Sequence, residues 1–253
     1  MAEPRGVEWD EMAIKGYRPA ALRGRLMQVA RRVVLLSATL HWGTKSFEFW
    51  TFLLALLALV RPRSIVELGS GRSTSYLTEY AMKEGIPYAS VEQNRFYVAK
   101  IRRGLRNSFL SGRYVHHVPL AADRWYAATR LDRVVDFPCE FLFVDGPVGV
   151  HESLGSGRRD GERSLAWLRA AAATSKIIMV DDVHRRSNLE LFQALVADST
   201  DLSTLFLAYD VIAAPNVVAV AVPRAAYEAL LTGCAALKVE YFTVYDAAQC
   251  SEP

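Results

Sequence analysis

The chain has three cysteines in 253 residues, Cys139, Cys234 and Cys250. They are odd in number, far apart and free of CxxC spacing, so neither a disulfide framework nor a cysteine-based zinc site is indicated. That usage matches a reducing cytosol. Long apolar runs are also missing. The one membrane-like stretch, Phe47 to Val60, is shorter than the roughly 20 residues a span needs, and Glu48 interrupts it. It is expected to form a buried helix. Met1 to Asp10 is acidic and polar, without a signal-peptide pattern. The expectation is therefore a cytoplasmic protein with no membrane span. Charge of one sign is scarce: the net charge is +3. It permits an anionic ligand but does not demand nucleic acid. The arginine pairs at 31–32, 102–103, 158–159 and 185–186 read as solvated faces. No internal repeat and no low-complexity segment occurs.

What is present is apolar sequence, 51% of the chain, enough for a sizeable core. Helices are expected over Ala20–Trp42 and Ser46–Val60, with Ser46 as N-cap and Arg61-Pro62-Arg63 as the stop, since proline cannot continue a helix. The chain then alternates. Strand-like runs cover Ser64–Leu68, Tyr88–Glu92, Tyr114–Pro119, Glu140–Asp145 and Lys176–Asp181. Helix-like stretches cover Thr74–Lys83, Arg95–Ser108, Asp123–Arg130, Arg163–Ala173 and Asn188–Ala197. Near-continuous apolar strands that alternate with helices imply a parallel sheet covered on both faces. Two further runs, Thr204–Ala213 and Asn216–Val222, are joined by Ala214-Pro215, too short for a crossover helix, so that pair is antiparallel. The tail offers a helix over Ala225–Leu231 and a short strand near Lys238–Val244.

Chemistry concentrates where the strand-like runs end. Glu67-Leu68-Gly69-Ser70-Gly71-Arg72-Ser73-Thr74 leads from the first strand into a helix through two glycines. Such a turn leaves backbone N–H groups and room for a ligand at the carboxyl edge of an open α/β sheet. Glu92 ends the second run, Asp145 the fourth, Asp181 and Asp182 the fifth. One such acid is commonly a helix cap, but together they build an anionic crevice. Glu92 lies about one βαβ unit past the turn, the spacing of an acid that accepts both ribose hydroxyls. Thr74 stands where a dinucleotide fingerprint has its third glycine. With Glu67 beside the turn, a cationic ligand group suits the site better than a pyrophosphate.

On these residues the chain resembles the class I S-adenosylmethionine-dependent methyltransferases. Glu67-Leu68-Gly69-Ser70-Gly71 resembles the family's first motif, with Ser73 in place of its third glycine. Glu92 resembles its ribose acid, and Phe143-Val144-Asp145-Gly146 its fourth-strand motif. The resemblance runs from about Phe47 to Val222. It implies a Rossmann-like, seven-stranded, mostly parallel α/β sheet with a terminal antiparallel hairpin, helices on both faces and extra N-terminal helices. Residues 1–60 would be a helical extension and 61–253 the cofactor-binding domain. It implies S-adenosylmethionine held by Glu67, Gly69, Ser70, Gly71, Ser73, Glu92 and Asp145, with Pro119–Asp123 near the adenine. It also implies methyl transfer to a small-molecule hydroxyl.

Metal-dependent O-methyltransferases within that family carry an Asp after the fourth strand and an Asp-Asn pair after the fifth. Asp145, Asp181 and Asp182 fall there, a set of hard oxygen ligands suited to Mg²⁺. Asp182 replaces the Asn, and Val148 stands where such enzymes have a lysine base. The competing reading makes Asp181 and Asp182 loop and cap residues. Base candidates are His184 and, more weakly, His151, because imidazole titrates near neutrality; Asp145 is the other catalytic candidate. His116 and His117 lie in the third run and read as structural. The glycine-rich segment 146–162 reads as a substrate lid or as a disordered loop. Trp42, Phe47, Phe49 and Trp50 either roof a pocket or fill core. Two alternatives stay open, a binding scaffold with this fold and an RNA methyltransferase. The sequence leaves room for a homo-oligomer.

Overall fold

The computed structural model describes residues 47–105, 112–121, 125–147, 159–183, 185–210, 215–236 and 243–246. The expected helix over Ala20–Trp42 and the cap at Ser46 lie outside them. Helix α1 (Phe47–Val60) is rich in Leu and Ala, good helix formers, and has little β-branching. It stops as expected: Arg61 takes a left-handed φ of 48° just before Pro62. Strand β1 (Ile65–Leu68) follows, then α2 (Ser73–Glu84), β2 (Tyr88–Glu92), α3 (Arg95–Gly104) and β3 (Val115–His117). Gly85 ends α2 in the left-handed region, its N–H returning to the Ala81 carbonyl. Asn94 caps α3 through its side chain, which accepts from the N–H groups of Phe96 and Tyr97.

The chain continues through α4 (Ala128–Val134), β4 (Phe141–Val144), α5 (Arg159–Ala173), β5 (Ile177–Val180), α6 (Arg186–Val196), β6 (Leu202–Asp210), β7 (Pro215–Pro223), α7 (Arg224–Ala236) and β8 (Thr243–Asp246). The sheet order is β3-β2-β1-β4-β5-β7-β6-β8. Strands β1 to β5 run parallel. Strand β7 joins β5 antiparallel, and β6 pairs with β7 antiparallel from Leu202↔Pro223 to Asp210↔Pro215, the expected hairpin. The short strand expected in the tail near Lys238–Val244 is β8, which adds antiparallel to the outer side of β6 as an eighth strand beside the seven of the resemblance. The helix expected over Asp123–Arg130 starts later, at Ala128. Before it, Trp125 and Tyr126 are drawn into the core, and a bridge between Leu120 and Tyr126 folds the chain back on itself. Burying two large aromatics outweighs local helix propensity here.

Strand register sorts the core into two faces. Ile65, Tyr88, Phe141, Phe143 and Met179 share one face with the buried residues of α1, α2 and α7. Val66, Leu68, Val91, Leu142, Val144 and Val180 face the other, against Leu131, Leu168, Leu189 and Phe192. Phe49 and Trp50 are core: Phe49 packs on Phe143, and Trp50 stacks on Tyr76 with ring centres 4.7 Å apart. Among the described residues no helix is long and apolar enough to cross a membrane.

Candidate functional site

Strand order reverses at β1, which lies between β2 and β4. Such a switch point opens a crevice beyond the carboxyl ends of the strands. The pairings Leu68↔Val91, Leu68↔Val144, Glu92↔His117 and Val144↔Val180 define what lies there. One residue on, they set His117, Glu92, Gly69, Asp145 and Asp181 in a single row across the edge. Two residues back, the next row on the same face holds Val115, Ser90, Glu67, Phe143 and Met179. Alternation thus brings Glu92, Gly69, Asp145 and Asp181 together. It places Glu67 one layer below them.

Gly69 has a φ of +98°, and a Cβ on it would stand 2.7 Å from both the Asp145 carbonyl carbon and the Gly146 nitrogen. A Cβ on Gly146 would in turn meet the Gly69 Cα at 2.9 Å. The two glycines let the ends of β1 and β4 touch backbone to backbone. Gly71 is different: a Cβ there would meet only the Ser73 hydroxyl, at 3.9 Å. The turn does not present its N–H groups as the sequence suggested. Gly69 N–H donates to the Val91 carbonyl, Gly71 N–H to the Thr74 hydroxyl at 2.8 Å, and Ser70 N–H to the Glu92 carboxylate. A phosphate cradle needs those donors free. This turn uses them internally.

Glu67 is 0% exposed, and its Oε2 accepts from the hydroxyls of Thr74, Tyr88 and Ser90 at 2.8, 2.7 and 2.5 Å. Its Oε1 is buried and makes no hydrogen bond; nor does the buried Ser73 Oγ beside the turn. Glu92 is 5% exposed and accepts from the N–H groups of Asn94, Gln93 and Ser70. Burial raises its pKa, the three amides oppose that rise, and the Glu67 charge adds to it.

Two tyrosines that sequence reasoning passed over face the same acids. The Tyr126 hydroxyl lies 3.0 Å from Gln93 Oε1 and within 3.4 Å of where a Gly146 Cβ would be. Burial, then the charges of Glu92, Asp145 and Glu67, push the pKa of Tyr126 well up; the same causes raise Tyr97 on α3. Both phenols stay protonated at neutral pH, and the Tyr126 proton is given to Gln93 Oε1. Tyr126 was hidden because nothing local in the sequence ties it to the ends of β1 and β4.

Asp145 and Asp182 are half-buried and Asp181 is 2% exposed. With Gly146, Pro147, Arg185 and Asn188 they line a cavity of ≈ 20 Å³. That is about the room one water needs. Asp182 adopts a left-handed φ of 57° and pairs with Arg185 at 3.3 Å, while Asn188 Nδ2 donates to the Asp181 carbonyl. Among the described residues no three His, Cys, Asp or Glu side chains come together as a metal site. The three aspartates share that cavity without forming such a group. His184 and His151 lie outside the described residues, as does most of the lid segment, 148–158. His117 is exposed, with Nε2 3.0 Å from the Gln93 carbonyl. In His116, burial lowers the pKa.

No protein-family model matches the chain, and no curated protein matches it. The chain is similar to solved O-methyltransferase structures. An O-methyltransferase from Bacillus cereus, in complex with SAH, shares 16% identity, covering 81% of this chain and 93% of its own, with a TM-score of 0.45. The cofactor-bound Rv0187 from MTB shares 17%, covering 87% and 99%, at 0.49. The O-methyltransferase TomG from Streptomyces achromogenes, involved in tomaymycin synthesis and solved with SAM, shares 17%, covering 85% and 96%, at 0.45.

Proposed function

We propose that this chain is an S-adenosylmethionine-dependent methyltransferase acting on a small-molecule hydroxyl, with residues 61–253 as the cofactor domain and 1–60 as its helical extension. The observation that carries this reading is the row Glu92, Gly69, Asp145 and Asp181 above a turn whose N–H groups are already engaged. An edge lined by carboxylates and poor in free amides favours a cation over a phosphate. The buried Ser73 Oγ, without a hydrogen bond beside the turn, fits a bound polar group there.

When bound, S-adenosylmethionine supplies an electrophilic methyl group on a sulfonium. Glu92 keeps acceptor capacity beyond its three amides and takes the ribose hydroxyls. Gly69, Ser70, Gly71 and Ser73 shape the wall beside it, with Glu67 beneath. Asp145 faces the acceptor and takes its hydroxyl proton, a role His184 shares. Tyr97, kept protonated, orients the acceptor oxygen, while Tyr126 donates to Gln93 and holds the wall behind it. Holding acceptor and donor in line supplies most of the rate.

Calorimetry with S-adenosylmethionine tests the reading: micromolar binding is expected, and absence of binding overturns it. Glu92→Ala should weaken binding by about tenfold or more, the value of two hydrogen bonds to a carboxylate. Glu92 accepts hydroxyls best when ionised. Because its pKa is raised, affinity should be full above that pKa and fall with acidification sooner than for an ordinary glutamate.

A further inference from the structure

Glu67 sits in a layer that otherwise suits apolar residues, with Phe143 and Met179 in its own row. A carboxylate buried this deeply is costly unless its hydrogen bonds are made, and an apolar side chain would pack there without that cost. The hydroxyls around it therefore need a reason. We propose that Thr74, Tyr88 and Ser90 are positioning residues which, through the Glu67 carboxylate, fix the glycine turn in the shape that receives the methyl donor; this rests on the methyltransferase reading above.

The proton count determines the direction of every bond. A hydroxyl has one proton to give. Those of Thr74, Tyr88 and Ser90 go to Glu67 Oε2. Ser90 has none left for Ser70, whose Oγ lies 2.7 Å away, so Ser70 donates to Ser90. Thr74 has likewise spent its proton, and its oxygen receives the Gly71 N–H. Both branches run toward one atom. Ser70 reaches Glu67 through Ser90, and Gly71 reaches it through Thr74. Ser70 is also tied by its N–H to Glu92. The two residues at the apex of the turn are thus held from below by Glu67 and from the side by Glu92.

Tyr88 adds a third hydroxyl and is packed in place by Tyr114, with ring centres 5.9 Å apart. All three donors fall on Oε2 while Oε1 takes none, so the carboxylate has one orientation that satisfies them. Sequence spacing does not reveal this set, because Tyr88 and Ser90 meet Glu67 only through the β1–β2 register.

Thr74→Val removes the hydroxyl at nearly constant shape, and Thr74→Ser keeps it. Hydrogen exchange on the protein without ligand reads the turn directly. Exchange of the Gly71 amide should rise about tenfold in Thr74→Val, the value of one hydrogen bond in this chain, and stay near wild type in Thr74→Ser. Calorimetry with S-adenosylmethionine should show affinity about tenfold weaker for Thr74→Val and within about twofold of wild type for Thr74→Ser. Leu195→Ala, on the opposite face of the sheet, controls for general destabilisation and should leave both readouts unchanged. If Thr74→Val does not fold, Tyr88→Phe carries the same test, since it keeps the packed ring.

A folded Thr74→Val with wild-type Gly71 exchange, or with faster exchange and unchanged affinity, overturns the proposal. Should wild type bind no S-adenosylmethionine, the methyltransferase reading fails, and the exchange result alone decides whether Thr74 restrains the turn.

Discussion

Glu67 and Glu140 are buried glutamates that serve adjacent strands at opposite ends of one sheet, and the protein neutralises them by opposite means. Glu140, just before β4, is held by two cations. Its Oε1 takes the Arg63 guanidinium at 2.7 Å, and its Oε2 takes the Arg63 N–H at 2.8 Å and the Lys176 ammonium at 3.1 Å. Glu67, near the carboxyl end of β1, is held by three neutral hydroxyls. Glu92 beside it is held by backbone amides. The amino end thus cancels its charge locally with cations, which is what a structural tie requires. At the carboxyl end Glu67 and Glu92 take their hydrogen bonds from neutral groups, so their field reaches the crevice, where Tyr97 and Tyr126 register it. The difference separates a carboxylate that fastens the sheet from carboxylates that prepare a site for a cation.

The contrast is broken most severely at the backbone that supports it. Gly69→Ala forces a Cβ to within 2.7 Å of the Asp145 and Gly146 main chain at a φ of +98°. It should lower stability by about 3 kcal/mol or more and deplete soluble protein, read as a shift in the urea midpoint. An unshifted midpoint would mean that the ends of β1 and β4 can part freely. Next in size is Glu67→Ala, which strands three buried hydroxyls. It should cost about 2–3 kcal/mol, read as a shift in the urea midpoint. A stability change near zero would show that the buried carboxylate does not organise those donors.

How much of this was legible in the sequence follows from which distances are local. The strand–turn–helix at Gly69–Gly71 and the hairpin across Ala214-Pro215 are set by neighbours in sequence, and glycine, proline and apolar alternation announce them. That acids gather at one edge was legible too, because parallel strands share a direction. The depth of each acid was not. Glu67 and Gly69 are two residues apart and lie in successive rows; only pairing with Ser90 and Phe143 shows that the acid points into packed interior. The aspartates look like a ligand set in sequence because their spacing after β4 and β5 is right. Sequence spacing alone does not show that Asp182 adopts a left-handed backbone and pairs with Arg185. Glu140 went unnoticed because its partners, Arg63 and Lys176, are 77 and 36 residues away.

The amino-end carboxylate makes a smaller prediction whose sign is fixed. Burial alone would raise the Glu140 pKa, but the hydrogen bonds and charges of Arg63 and Lys176 outweigh it and hold the carboxyl at about 2, below its usual 4.5. A carboxyl depressed by folding contributes stability that is fully present above the unfolded value and is lost as pH falls through the folded one. Wild type should therefore lose stability progressively from about pH 4.5 toward about pH 2. Glu140→Gln should be less stable at neutral pH and should flatten that part of the profile. Urea midpoints across the acid range measure it, and parallel profiles for the two proteins would refute the assignment.

The smallest expected change in stability belongs to Gly71→Ala, and it separates fold from site most finely. Gly71 lies two residues from Gly69, in the same turn. A Cβ there meets nothing nearer than the Ser73 hydroxyl at 3.9 Å, and the backbone does not require a positive φ. Alanine also narrows the unfolded ensemble, so the net effect on the urea midpoint should be within about 0.5 kcal/mol of zero. The added methyl does enter the open side of the turn, where the proposed donor lies against the wall. S-adenosylmethionine affinity should therefore fall several-fold while the midpoint stays put. If affinity is untouched, the ligand does not approach the turn from the Gly71 side. If stability collapses as it does for Gly69→Ala, the two glycines are both structural, and the division between a turn packed on one flank and open on the other is wrong.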